Sequence, residues 1–222
     1  MLKRPPFDLA VFVNCPFDEP FKPLLDAILF AIHDCGFAAR TALEESGSGE
    51  TRLDKLVRVI GECRFSIHDI SRTEITQSSP LPRFNMPFEC GLALGAIRYQ
   101  RLLRSGSRDF LLMAAEDFQD KRTLSDLAGQ DASYHGNDAG RAIKAVRRFL
   151  ASKGAEVLPA GAVVRGDSSI TARLSRFCED LPAMAASVNI SAAEIQSFDY
   201  LPEWLGFAHP ITHKSLYAGR RS

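Results

Sequence analysis

The chain has no charge excess of either sign: 27 Lys and Arg balance 27 Asp and Glu over 222 residues, for a formal net charge of zero. A dedicated nucleic-acid binder usually shows a basic surplus or a clustered basic face, so no nucleic-acid partner is expected. The main local concentration of basic residues, RAIKAVRR at 141–148, reads as one solvated helix face, and there is no polybasic or acidic tail. Long apolar runs are missing too. No stretch approaches the ~20 residues of a membrane span, so no membrane is expected. The start, MLKRPPFDLAVFVN, breaks two basic residues with Pro-Pro and Asp8, and the apolar run after them is too short and too β-like for a signal peptide. The five cysteines show no CxxC spacing, which points to reduced thiols in a cytoplasmic protein. The five histidines show no HxxxH or HExxH pattern, so neither a metal nor a resident cofactor is expected. There is no internal repeat and no low-complexity tract.

What is present is ordinary globular material, 45% hydrophobic and 24% charged. The length has room for one large domain, or for a domain of roughly 150 residues and a smaller appendage. Such a chain buries a core without disulfide staples.

Two periodicities alternate through the first half. Residues 8–14 (DLAVFVN) form a short β-rich run. Residues 22–35 then place Leu24, Leu25, Ile28, Leu29 and Ile32 on one helical face, with Pro23 suited to the first turn and Gly36 to the position past the end. Strand runs follow at 37–43, 64–71 and 108–116, and helical spacing at 51–63 and 86–99. The order β-α-β-α-β-α-β predicts an α/β fold, a mostly parallel sheet with helices on both faces. Later, 138–152 reads as an amphipathic helix capped by Asp138, 155–164 as a final strand or a loop, and 170–181 as a helix closed by Pro182. SAAE at 191–194 has capping-box spacing, and the aromatic tail from 199 has no clear period. The expected division is an α/β domain over 1–155 and a mainly helical extension over 156–222 packed on it.

In an open parallel sheet, ligands bind beyond the carboxyl ends of the strands. Three segments reach that edge: Asn14-Cys15-Pro16-Phe17-Asp18, then Asp69-Ile70-Ser71, then Asn85-Met86-Pro87-Phe88-Glu89 at the end of a long loop over 72–85. Long loops in compact domains are often functional. Glu89 stands out because it opens a helix of small and apolar residues, Cys90 to Ala96, that includes Gly91 and Gly95. Each glycine costs about 1 kcal/mol against Ala in a helix interior, tolerable where a backbone must approach something closely. The plain alternative is a glutamate answering the helix macrodipole in the first turn.

VFVNCPFDEPF at 11–21 and FNMPFECGLALG at 84–95 together resemble the superfamily of nucleoside 2-deoxyribosyltransferases, nucleotide N-glycosidases and bacterial TIR-like domains that consume NAD. The resemblance covers roughly residues 8–116. It implies a flavodoxin-like or TIR-like scaffold in which the Pro-Phe loop after the first strand walls a nucleotide pocket. It implies that the Glu of an F-E-x-G-x-x-x-G pattern, here Phe88-Glu89-Cys90-Gly91 to Gly95, is the catalytic carboxylate. It further implies substrate-binding roles for Asn14, Cys15, Pro16, Phe17, Asp18, Asp69, Ser71, Asn85, Met86 and Phe88. Similar bacterial proteins often act in anti-phage defence and stay silent until a homo-oligomer or an activating partner assembles. The chain lacks the Ser and the Trp-Cys pair that animal-type TIR domains place before the Glu. Where deoxyribosyltransferases usually have an Asp before it, the nearby polar residue is Asn85.

One carboxylate suits the chemistry. Breaking an N-glycosidic bond develops positive charge at the anomeric carbon, which a carboxylate stabilises or captures as an ester. Nicotinamide leaves NAD as a neutral base and needs no strong acid, whereas an ordinary nucleobase needs a proton, for which Asp69 and Asp18 are the candidates. The expected activity is cleavage of NAD, as substrate, at the nicotinamide–ribose bond, by hydrolysis or cyclisation. The alternatives are a nucleoside N-glycosidase or deoxyribosyltransferase, and a non-catalytic nucleotide-sensing module that docks through Tyr200, Trp204, Phe207 and Tyr217. Arg40 and Glu44 suit either a ribose or phosphate contact or a surface ion pair, the SGSG loop at 46–49 a phosphate cradle or a linker, and His68 a structural hydrogen bond. Tyr134, His135 and Asp138 form a polar cluster with no role derivable from sequence.

Overall fold

Parallel strands must be covered on both faces, and the short apolar runs at the start of the chain are buried that way. A computed structural model describes residues 4–44, 47, 49–73, 83–103, 108–127 and 129–216, with only the backbone of 101–103, 122–123 and 210–216. Most of the loop at 72–85, Ser46 and Ser48 of the glycine-rich loop, and Tyr217 lie outside the described residues.

The strands are Ala10–Asn14 (β1), Ala38–Thr41 (β2), Phe65–Asp69 (β3), Asp109–Ala114 (β4) and Ser133–Tyr134 (β5). They form one sheet, ordered β2-β1-β3-β4-β5, with every neighbouring pair parallel. The helices are Lys22–Asp34 (α1), Arg52–Gly61 (α2), Asn85–Leu103 (α3), Gln119–Thr123 (α4), Ala139–Val157 (α5), Asp167–Ala186 (α6), Ala192–Ile195 (α7) and Leu201–Leu216 (α8). The fold is the expected α/β architecture of flavodoxin-like type with C-terminal helices. Alternation along β1 separates its two faces. Val11 and Val13 join the core of α1, α5, α6 and α8, while Ala10 and Phe12 pack against Leu56, Val59 and Ile60 of α2 and Ala93 of α3.

Local chemistry sets the element ends. Gly36, with φ of 91°, closes α1, as Phe37 N–H reaches back to Ile32 O at 3.1 Å. Asp138 caps α5 through Arg141 N–H at 2.7 Å, and Ser191 and Glu194 complete the capping box of α7.

Four differences from the sequence expectations stand out. α5 runs on to Val157, five residues past its expected end, and of the two readings of 155–164 the loop is the one observed beyond it. α6 passes through Pro182, which stands on an exposed position near the helix end, to Ala186. The tail from 199 is largely helix: Leu201, Trp204, Leu205 and Ala208 are buried at i, i+3, i+4 and i+7. Finally, β5 adds a short fifth strand at 133–134.

The expected border at 155 falls inside α5. Ile170, Phe177 and Leu181 of α6 and Trp204 of α8 share one core with Ile28 and Phe30 of α1. Trp204 stacks edge-on against Phe177 with ring centroids 5.1 Å apart, so the tail aromatic expected to dock a partner or to cap the core does the latter. Four of the five cysteines are buried, and all are free thiols.

Candidate active site

The strand order reverses direction between β1 and β3, and such a switch point leaves a crevice beyond the strands' carboxyl ends. β1 ends there at Asn14, β3 ends at Asp69, and α3 packs against both strands.

Glu89 faces inward. The buried face of α3 is Met86, Glu89, Cys90, Ala93 and Ile97, the spacing of a core-facing stripe. One of those positions is a carboxylate, 5% exposed, while its neighbour Phe88 is 55% exposed. The apolar and charged residues have exchanged places. α3 begins at Asn85, so Glu89 lies past the first turn, where the macrodipole acts most. Among the described residues no group donates a hydrogen bond to its carboxyl. Burial pushes Glu89 up to about 7, opposed only by the field of Arg52 at the start of α2. Gly91 meets nothing within 4 Å of where a Cβ would stand, so the protein's own packing does not demand glycine there.

Asn14 ties the strand end to this helix. Its amide donates to Met86 O at 2.8 Å and to His68 Nδ1 at 3.0 Å. Since Nδ1 accepts, His68 carries its proton on Nε2 and donates to Ser66 Oγ at 2.9 Å. Burial holds His68 down at about 3, so the ring stays neutral and keeps accepting. The structural hydrogen-bonding role expected of His68 is the one observed.

Asp69 is fully buried and fully engaged. Its Oδ1 accepts from Ser71 N–H at 2.9 Å, and its Oδ2 lies 2.8 Å from His135 Nε2. His135 Nδ1 accepts from Asn137 N–H at 3.0 Å, so Nε2 is the nitrogen that carries the proton. Ser71 Oγ stands 3.1 Å from that same Nε2. A serine–histidine–carboxylate relay needs both ring nitrogens, one for the serine and one for the acid. Here one nitrogen serves both, so the trio is a structural knot. Gln119 joins it by donating to Ser71 O at 3.1 Å, and Tyr134 donates to the buried Asp120 at 2.8 Å.

Cys15 is the meeting point of the carboxylates. Burial pushes its thiol well up, and the fields of Asp69, Glu89 and Asp18 push the same way. It stays a neutral thiol and is no nucleophile. Asp18 caps the turn at Glu19–Phe21 through Phe21 N–H at 3.0 Å and faces Arg72 and Arg83. Pro16 is buried, while Phe17 packs edge-on against Phe198 of the helical extension, with centroids 6.0 Å apart. Asn85 and Phe88 stand on the exposed side of α3. The structure therefore gathers Asn14, Cys15, Asp18, Asp69, Ser71, Met86 and Glu89, and leaves Phe17, Asn85 and Phe88 outside that cluster.

The sequence alone gives His135 no role and singles out none of Ser66, Gln119, Arg72 and Arg83. His135 follows β5 directly, at the same sheet edge, and recognising that strand would have placed it. Arg40 is buried and pairs with Glu44 and, at 3.1 Å, with Glu62, in a structural ion-pair network. Among the described residues no cluster of His, Cys, Asp and Glu is arranged to hold a metal ion, and no helix is long and apolar enough to cross a membrane.

Comparison of the chain with protein-family models, with curated proteins and with solved structures gave no match.

Proposed function

We propose that this protein is an N-glycosidase that cleaves the nicotinamide–ribose bond of NAD, with Glu89 as its catalytic carboxylate. The observation that carries the proposal is the inversion on α3: a glutamate that accepts no hydrogen bond among the described residues occupies a core position at the sheet's switch point. Stability alone favours an apolar side chain there, and such a conflict between local rule and fold marks functional sites.

The chemistry follows from the surroundings. The pyridinium of NAD is a cation, and its approach favours the ionised form of Glu89. The C1′–N bond breaks and its electron pair neutralises the ring, so nicotinamide departs without a general acid. The carboxylate stabilises the positive charge at C1′. Water then adds its oxygen to C1′ and gives its proton to solvent, leaving ADP-ribose. Attack by an internal nucleophile instead of water gives a cyclised product.

One observation favours this reading over a nucleoside N-glycosidase or deoxyribosyltransferase. A departing nucleobase needs a proton, and both candidate acids are occupied. Asp69 spends its oxygens on Ser71 and His135, and Asp18 on its cap and two arginines.

The test is release of nicotinamide from NAD by the wild type and by Glu89→Gln. The proposal expects turnover by the first and a loss of about a hundredfold or more in the second. Release of free bases from nucleosides without NAD loss would select the other glycosidase class. Nucleotide binding with the ligand intact after long incubation would select a sensing module. Bacterial defence or signalling in the cytoplasm, with activity awaiting a homo-oligomer or a partner, is the setting proposed by the resemblance.

A further inference from the structure

Two cations share one acid at the crevice. Arg72 lies three residues beyond β3 and Arg83 two residues before α3, and their backbones meet, with Arg83 N–H donating to Arg72 O at 3.0 Å. Both side chains converge on the same carboxylate oxygen. Arg72 Nε is 3.4 Å from Asp18 Oδ2 and Arg83 NH1 is 3.3 Å from it. Asp18 Oδ1 is already spent on Phe21 N–H. Charge-assisted bonds normally close to about 2.7–2.9 Å, so neither arginine is tightly held. A guanidinium offers five N–H donors, and among the described residues one nitrogen of each side chain has an acceptor. The arginine side chains are 34% and 40% exposed and Asp18 is 17% exposed, so the acid lies inward and the two forks face outward. Asp18 follows β1, Arg72 follows β3 and Arg83 precedes α3, so all three stand at the carboxyl edge of the sheet, where Asn14, Asp69 and the start of α3 also lie.

We infer that Arg72 and Arg83 form a phosphate-binding fork at the sheet edge that carries Glu89, and that this fork selects a phosphorylated nucleotide or dinucleotide over a bare nucleoside. The geometry suits it: a phosphate carries more charge than the shared carboxylate oxygen and accepts from both planar forks. The inference rests on reading the crevice as a nucleotide site, and it names the substrate class that this site takes.

The test is calorimetric binding of ADP and of adenosine to the full chain, with circular dichroism as the check on folding. The wild type is expected to bind ADP about tenfold or more tightly than adenosine, and Arg72→Ala with Arg83→Ala to erase that preference. Arg72→Lys with Arg83→Lys keeps the charge without the fork, so its preference falls between the two. Should the alanine pair not fold, the lysine pair carries the comparison. Asp18→Asn separates binding from mere stapling. Asparagine caps a turn as well as aspartate does, but it no longer competes with a phosphate for the arginines. ADP affinity is then expected to rise. Equal wild-type affinity for ADP and adenosine would overturn the fork. So would a loss of ADP binding in Asp18→Asn, which would make the arginines a staple between the ends of the loop. None of these readouts requires turnover. A protein that prefers ADP yet never cleaves NAD keeps the fork and loses the proposed activity. One that cleaves NAD without preferring ADP keeps the activity and loses the fork.

Discussion

Glu89 ties stability to pH in the direction opposite to that of a paired acid. Its carboxyl titrates at about 7 in the folded protein, against 4.5 ordinarily. Between those values the folded state holds a proton that the unfolded state has lost. Stability therefore falls as pH rises through that window, by up to about 3 kcal/mol at 1.36 kcal/mol per unit. Glu89→Gln removes the penalty. In denaturant melts the variant is expected to exceed the wild type by up to about 3 kcal/mol at pH 8 and by little at pH 4.5. The same gap at both pH values would contradict the burial assigned to Glu89. On the proposed role of Glu89, kcat/KM for NAD is expected to fall as pH drops through about 7, where the carboxyl takes up its proton. For kcat, that limb is expected at lower pH, since the bound pyridinium favours the carboxylate. A flat kcat/KM profile between pH 5 and 8 would count against Glu89 as the titrating group. His68 works the other way. It titrates at about 3 in the folded state against 6.5 ordinarily, so its contribution is lost as pH falls from about 6.5 to about 3. The FExGxxxG pattern made Glu89 visible in the sequence, but its inward orientation was not. That depends on how α3 packs against β1 and β3, which no local pattern encodes.

At the scale of elements, periodicity was legible where it ran long enough. The first four strands lie within two residues of their expected ends, because each apolar run is bounded by polar or glycine-rich segments. β5 has two residues and therefore no period to detect. α8 did show its signal, an apolar stripe from Leu201 to Ala208, but Pro202 and Pro210 obscured it. Pro202 is harmless because it falls in the first turn of the helix. Docking of α6 onto α1 relies on a buried charge that no spacing rule points to. Asp34, at the end of α1, is fully buried and meets Arg173 of α6 at 2.9 Å, with Arg165 at 3.9 Å. Burial raises its carboxyl despite both arginines. Arg173→Ala is expected to cost about 3 kcal/mol in equilibrium unfolding, the cost of leaving a buried charge short of a partner. A change below about 0.5 kcal/mol would mean that the pair behaves as a surface bridge.

The whole molecule is built around α1. Apart from Pro23, every residue of that helix is buried, between the sheet on one side and α5, α6 and α8 on the other. An all-buried helix needs cover all round. A chain ending at residue 155 would strip Phe177, Leu181 and Trp204 from Ile28 and Phe30. It is expected to show no cooperative unfolding transition, whereas the full chain shows one; a sharp transition in the shorter chain would restore an independent first domain. Among the described residues, acids such as Asp34, Glu44 and Glu62 pair with arginines, whereas Glu89 has no salt bridge. The most direct measurement is nicotinamide released from NAD by wild type and Glu89→Gln, prepared alike and shown to be folded. The account predicts release by the wild type and a fall of about a hundredfold or more in the variant. Equal release by both proteins would contradict it.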